Sequence, residues 1–500
     1  MTSLTSHQSQ RANTMTDTAP STPPILVRFG RRSSRGLLLG FSAARVACIA
    51  AAATVFIPSL LVGGIVGTAA SAPVWVSLLA AAFVPWAGRP IIESAPTAVH
   101  FLVRRAQGQT RYAVRPGKPR PAGTLALPGD AASLRWLSDI ATGAVMVHDP
   151  HEQTLTAVAH VSHPAYVLLS PDEQSRRVQG WGRALAGLAA SGTCARVQIL
   201  ESAQPDSGRG ISDWWREHRS PAAGRWAVQQ YDDLMETKAP AASTHRTLIA
   251  LSLDLKRASK SIRDAGRGMT GSAAVLAQDM AAFESGLRAA ELKLVSWLGP
   301  SQLSGVVRGA YDPDGWAQLD GTVIGKDLST AGPVAVEEHW DHLRHDSGFS
   351  SVLWVSEWPR IDVPPHFLHA LAFAPGVRKT ISITATPLST TAAMRDIRKA
   401  KVEYLNDAAQ KSRIGVIADL ADAQELSDVM TREQALISGH ADLRFTGLIA
   451  VTAPTKDELD AAVSQLQRAA TQSGCETRLL LGQQARSFTA AALPLARKVH

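Results

Sequence analysis

The stretch of this chain that most resembles a chemical motif is Gly321-Thr-Val-Ile-Gly325-Lys326-Asp327. A phosphate loop cradles phosphates on glycine backbone N–H groups, reaches them with a lysine and meets magnesium with a Ser or Thr hydroxyl. Here the glycines stand one residue too close, and Asp327 would place a carboxylate where the hydroxyl belongs and repel the phosphate. Nucleotide binding is therefore not expected. His339, His342 and His345 recur every third residue after Glu337 and Glu338. On a helix such a triplet fans over about 120° instead of converging as i, i+4 ligands do, so a solvated helix face is the better reading than a metal site. Cys48, Cys194 and Cys475 are far apart and odd in number, which gives neither a disulfide framework nor a zinc site and suits a reducing compartment. A Gly-x-Ser-x-Gly elbow and a dinucleotide glycine fingerprint are missing. Trp214, Trp215, Trp354 and Trp358 could form contact surfaces, although core packing is the commoner fate of such rings. These residues nominate no catalytic, cofactor-binding or metal-ligating position, and the expectation is a protein that is not an enzyme.

The elements around these residues carry a clearer signal. Between Arg45 and Arg89 the chain has no Asp, Glu, Lys or Arg. One membrane crossing takes roughly 20 apolar residues, so residues 46–88 fit two short crossings better than one. They are expected as a transmembrane helical hairpin with helices near 46–61 and 73–86, turning through Gly63, Gly64, Gly67 and residues 68–72. Arg28, Arg31, Arg32, Arg35 and Arg45 precede the run; Arg89, Arg104, Arg105, Arg111, Arg115, Lys118 and Arg120 follow it, with Glu93 the one acid in that flank. Lys/Arg-rich flanks stay cytoplasmic, so both termini are expected there, with the protein multi-pass in the cell membrane. The net charge of +8 and the pI near 9.6 reside largely beside this hairpin. Topology and anionic headgroups explain them better than direct nucleic-acid binding, which would want aromatic residues interleaved with the basic ones.

Taken in order, residues 1–24 read as a disordered tail, 25–45 as a basic juxtamembrane segment, 46–88 as the hairpin and 89–130 as a basic linker. Residues 131–270 form a first α+β domain: a hairpin at 144–161, a helix at 173–190, a strand at 195–200, a polar loop through Gly210, a helix at 226–236 and a strand at 247–253. Residues 271–345 read as a helical connector, with a long helix at 271–294. In the second α+β domain, 346–500, strands fall at 351–356, 378–385, 445–452 and 476–481. Helices fall at 365–373, 391–435 with a break near 412–415, and 456–472. The fold class is α+β, with two related halves of ferredoxin-like type carrying long helices.

Several phrases add a resemblance. The basic segment with its Ala/Leu/Gly hairpin, Ser356-Glu-Trp-Pro-Arg360, Thr431-Arg-Glu-Gln-Ala-Leu436 with Gly439-His440, and Leu493-Pro-Leu495 together resemble an actinobacterial family of integral membrane proteins of conjugative, type IV secretion-like clusters. The layout looks like a two-helix inner-membrane subunit joined to the non-catalytic N-terminal half of a VirB-type ATPase. In those ATPases a Leu-Pro-Leu phrase stands shortly before the nucleotide-binding domain, and here the chain ends a few residues after it. The resemblance implies a non-enzymatic membrane scaffold that docks a separate secretion ATPase and other membrane subunits, with oligomer formation open. The alternatives are an accessory membrane subunit of a type VII secretion complex and a membrane-tethered enzyme whose site the sequence does not display.

Overall fold

Because its strands are apolar on both faces, the sheet-forming part of the chain needs cover above and below, and the computed structural model provides it. The structure describes residues 26, 27, 29 and 41–499, apart from 87, 116, 119, 121, 164–165, 206–208, 221, 223, 239–242, 315–327 and 415–419. The expected tail and the phosphate-loop-like stretch lie outside the described residues. The chain opens with α1 (Ala43–Phe83), β1 (Pro85–Trp86), β2 (Arg89–Pro90), α2 (Ile91–Ala106) and β3 (Arg111–Ala113). A first run follows: β4 (Arg135–Ser138), β5 (Val145–Asp149), β6 (Thr154–Ser162), α3 (Pro171–Ser191), β7 (Cys194–Pro205), α4 (Arg209–His218), α5 (Arg225–Lys238), β8 (Ser243–Asp254), α6 (Ser259–Asp264), α7 (Gly268–Ala289), β9 (Lys293–Trp297) and α8 (Pro300–Tyr311). The second run is β10 (Ala335–Glu338), β11 (Leu343–His345), β12 (Gly348–Glu357), α9 (His369–Ala372), β13 (Arg378–Leu388), α10 (Thr390–Ile414), α11 (Leu420–Ile437), β14 (Asp442–Ala453), α12 (Lys456–Gln472), β15 (Glu476–Leu479) and α13 (Gln484–Ala492).

Strands β3 to β15 make one antiparallel sheet of 13 strands in the order β3-β10-β11-β12-β14-β13-β7-β8-β6-β5-β4, with β15 also on β12 and β9 also on β6. Read outward from the β7–β13 seam, both sides show the same succession of strands apart from β3 at one far edge, and the two runs repeat the same order of elements apart from the extra α6 of the first. Side chains alternate between faces. In β8, Leu248 and Ala250 enter a core shared by both halves, while Ile249, Leu251 and Leu253 face α3 and α7. In β14, Leu448 and Ala450 join the shared core, and Ile449 and Val451 pack with Leu459 and Leu466 of α12. The shared core is closed by α8, α13 and the buried Leu493 and Leu495. Local signals agree with this packing: Ser170 and Glu173 form a capping box at the start of α3, and Gly192 ends it in the left-handed region.

Several boundaries differ from expectation, each for a local reason. In α1 the helix runs on through Gly67 and residues 68–72, and only Gly64 departs from helical geometry, with φ 55 and ψ −147. Pro73 lies inside the helix, and Trp86 belongs to β1. The helix expected to reach residue 294 stops at Ala289, where Glu291 takes φ 57, and residues 293–297 pair with β6 as β9. The supposed polar loop at Gly210 is α4, whose Trp215 packs on Tyr231 of α5. The helix expected over 365–373 is reduced to the single turn of α9, after Pro364 and Pro365. Residues 271–345 supply α7 and β9 to the first half's packing and β10 and β11 to the sheet.

At the seam, Ser382 of β13 sits opposite Leu200 of β7. Two residues earlier on β7, the fully buried Gln198 donates its two Nε2 hydrogens to Ser382 Oγ (2.9 Å) and the Ala490 carbonyl (2.8 Å), with the Leu493 carbonyl sharing one of them at 3.2 Å. It accepts the Ala496 N–H at 2.6 Å. One side chain thus ties both halves to the C-terminal segment. Gln198→Glu keeps the shape but removes the donors and turns oxygen toward two carbonyls. Since each buried group left unpaired costs about 1–3 kcal/mol, the variant is expected to lose roughly 3 kcal/mol or more in denaturant unfolding of the detergent-solubilised protein. An unchanged midpoint would remove Gln198 as the latch.

Candidate functional site

The described surface concentrates its unusual features where α1 meets the sheet. α1 is the one described helix long and apolar enough to cross a membrane. Its side chains are largely uncovered, with Val62 91% and Ile65 86% exposed. The Phe41 and Phe83 rings stand 5.9 Å apart, and those of Phe56 and Trp75 stand 5.3 Å apart. At the base of α1, Ser42 donates to the Glu93 carboxylate at 2.7 Å and Arg45 pairs with it at 3.3 Å. This fastens α1 to the first turn of α2.

A second set of contacts fastens α2 to the sheet edge. Trp86 stacks on Trp340, with centroids 5.5 Å apart and planes 14° apart, and Phe101 of α2 meets the same ring edge-on at 5.3 Å. Gly482 donates its N–H to the Trp340 carbonyl at 2.7 Å. It has φ +70, and a Cβ there would stand 2.5 Å from the ring, so this position needs glycine on both counts. Arg89 lies over the Trp354 ring at 5.4 Å, and Arg478 donates to the Gly88 carbonyl at 3.0 Å. Beneath them Arg104 pairs with Glu338, whose side chain is 1% exposed. The other Glu338 oxygen accepts the Ala485 N–H at 3.1 Å, at the N-terminal end of α13. A buried carboxylate needs such partners, because an unpaired one carries a heavy desolvation penalty.

The histidine triplet needs correction: it lies on the β10–β11 hairpin and not on a helix face. His339 and His342 stack at 4.4 Å, and burial, reinforced by the His342 charge, lowers the His339 pKa. His345 points inward from the strand. Its Nδ1 lies 2.6 Å from the Tyr311 carbonyl and its Nε2 lies 2.7 Å from Ser350 Oγ. A carbonyl only accepts, so Nδ1 carries the proton and Ser350 donates to Nε2. Burial pushes the His345 pKa down to about 4. Among the described residues no group of three metal-ligating side chains converges.

Trp214, expected in a core, is 58% exposed on α4. The three cysteines are buried and unpaired with one another, and burial raises the Cys194 thiol to about 12, far from reactivity. A depression lined by Thr390, Thr391, Met394, Arg395 and Arg398 belongs to the first turns of α10 alone and is an open face. In the sequence Arg89 stands out only as flank charge and Glu338 only as a neighbour of the histidines, while Trp340 and Arg478 carry no signal of their own. The available signal was the alternation Val336, Glu338, Trp340 against Glu337, His339, a strand period beside a charge-rich flank.

The depressed His345 pKa sets a pH dependence. Between about 4 and the ordinary value of 6.5 the unfolded chain binds a proton that the folded one does not, so stability is full above this window and falls as pH drops through it. The wild type is expected to lose up to about 1.4 kcal/mol per pH unit from this residue, and His345→Gln is expected to flatten that slope in denaturant titrations at pH 7, 6 and 5. Equal slopes in the two proteins would contradict the assignment.

The chain matches no protein-family model and no curated protein sequence.

Proposed function

We propose that this chain is a membrane-anchored, non-enzymatic scaffold that holds a double α+β platform at the cytoplasmic face of the cell membrane, where it docks the separate ATPase of a conjugative, type IV secretion-like machine. The observation that carries the reading is the uncovered apolar helix and the way its ends meet. Phe41 and Phe83 would stand about 60 Å apart on a straight helix, yet their rings are 5.9 Å apart. This supports a fold-back at Gly64 into two helices of about 20 residues, each matching the roughly 30 Å hydrocarbon thickness. Both flanks are arginine-rich, which supports two cytoplasmic termini.

The platform supports a scaffold in two ways. In each half the strand that precedes the first helix lies between the third and fourth strands of its βαββαβ run: the order is β7-β8-β6-β9 on one side and β13-β14-β12-β15 on the other. That order supports two ferredoxin-like units joined edge to edge. Between the second and third strands, each unit inserts a helical pair. α10 and α11 are tied to the foot of β14 by Arg432–Asp442 and Arg444–Asp396, while Leu405, Met430 and Ile437 stay exposed. On α4 and α5, Trp214 and Trp226 are exposed. These apolar arms are suited to protein partners.

Topology is testable with single cysteines in a background where Cys48, Cys194 and Cys475 are replaced by serine or alanine. Val62→Cys is expected to react with a membrane-impermeant maleimide in intact cells, and Gln107→Cys only after lysis. The reverse pattern would overturn the orientation, and protection of both until lysis would overturn the two crossings. Partner identity is read by a mild-detergent pull-down of the full-length protein with mass spectrometry. A conjugation-type ATPase is the expected companion, and recovery of type VII components in its place would overturn the type IV assignment.

A further inference from the structure

The foot of the anchor holds a cleft of about 70 Å³ lined by Trp86, Arg89, Glu93, Trp340, Trp354 and Arg478, among others. It is too small for a nucleotide, since pockets for such ligands run to several hundred Å³, but its walls combine two guanidinium groups with three indoles. Glu93 is already engaged by Ser42 and Arg45. Arg478 spends one hydrogen-bonding group on the Gly88 carbonyl, and Arg89 is exposed above the Trp354 ring. Among the described residues neither guanidinium forms an ion pair with a carboxylate. Two guanidinium groups beside stacked tryptophans make a phosphate receptor, because their planar N–H forks match phosphate oxygens.

The neighbouring helix indicates where that phosphate comes from. α2 has two faces. Phe101 and Arg104 turn inward to Trp340 and Glu338, whereas Val99, Leu102 and Val103, at i, i+3 and i+4, are exposed, with Val99 and Leu102 each at 59%. Arg105 borders this outward apolar face. A helix in water would place polar groups there. An apolar stripe edged by arginine, directly after an apolar hairpin and in a flank of seven basic residues with Glu93 as the one acid, matches a helix lying in a negatively charged membrane interface.

We propose that the Arg89–Arg478 cleft binds one anionic phospholipid, its phosphate held by the two arginines, at the membrane interface in which the outward face of α2 lies. The inference rests on the reading of α1 as membrane-embedded. It adds a specific ligand at a specific place, and its test reads lipid binding and not insertion.

The experiment is native mass spectrometry of the full-length protein in detergent, titrated in separate arms with dioctanoyl phosphatidylglycerol, dioctanoyl phosphatidylcholine and inorganic phosphate. The wild type is expected to retain one phosphatidylglycerol in clear preference to phosphatidylcholine, and inorganic phosphate is expected not to displace it at equal concentration. Arg89→Gln, a surface change that leaves the Arg104–Glu338 pair intact, is expected to weaken retention roughly tenfold, the loss of one charge-assisted contact. Leu102→Ser, on the opposite side of α2 from the cleft, is expected to leave retention and headgroup preference unchanged, and a loss equal to that of Arg89→Gln would overturn the placement of the lipid in the cleft. Equal retention of both lipids, displacement by inorganic phosphate, or unchanged retention in Arg89→Gln would each overturn the proposal. The cysteine-labelling pattern is independent of these outcomes, so a failed lipid site and a failed membrane topology are told apart.

Discussion

The architecture depends on the pairing of β7 with β13. Each half would otherwise end in a long strand with unpaired backbone groups, an edge prone to adventitious pairing. By zipping together over Lys379–Ala203 to Ala385–Val197, the two edges satisfy each other and turn two sheets into one. The shared core then forms, since Leu200, Leu248 and Ala250 from one half and Val352, Leu448 and Ala450 from the other face the same side. Gln198 adds direction to this junction. Apolar contacts would tolerate a slip of the C-terminal segment, whereas a side chain that meets Ser382, Ala490, Leu493 and Ala496 at once does not.

The seam connects to α1 through α13. Ala490 in its last turn accepts from Gln198, and Ala485 in its first turn donates to Glu338. Glu338 in turn holds Arg104 of α2, and α2 is bound through Glu93 to the base of α1. Helix α13 also contributes Phe488, whose ring packs at a tilt 5.1 Å from Tyr311 and 5.2 Å from His345, so it is fixed along its length. The apolar helix is therefore joined to the centre of the sheet by consecutive polar contacts, buried at Gln198 and at Glu338 and part-buried at Glu93, and salt weakens the buried ones least.

The sequence made the long, periodic elements legible. The capped helices α3 and α12, the hairpin of β5 and β6 and the β-branched strands β8, β13 and β14 could be read because their apolar spacing and caps act locally. What could not be read was non-local. The strand β9 is decided by pairing with β6 and by a backbone reversal at Glu291. The spacing of His339, His342 and His345 is compatible with a helix face, and the strand around them is selected by β3 and β12 lying alongside. Of the candidate site, the basic flank was visible as charge. That Arg89 and Arg478, 389 positions apart, share one cleft is a consequence of β15 pairing with β12, which no local pattern encodes.

Leu493-Pro-Leu495 shows how an apparent motif is absorbed by packing. Both leucines lie in the shared core, and the Leu493 carbonyl is held by Gln198. The buried polar groups have a different task. Taking the Glu338 carboxylate and the Arg104 guanidinium out of water is costly, and apolar residues of similar size often hold such an interface as tightly. An apolar patch is indifferent to sliding, however. Between Trp86, Phe101 and Trp340 the rings supply contact area, and a carboxylate that must meet both Arg104 and the Ala485 N–H admits one arrangement of α2 on the sheet. For the scaffold role proposed above, that restriction matters more than additional stability.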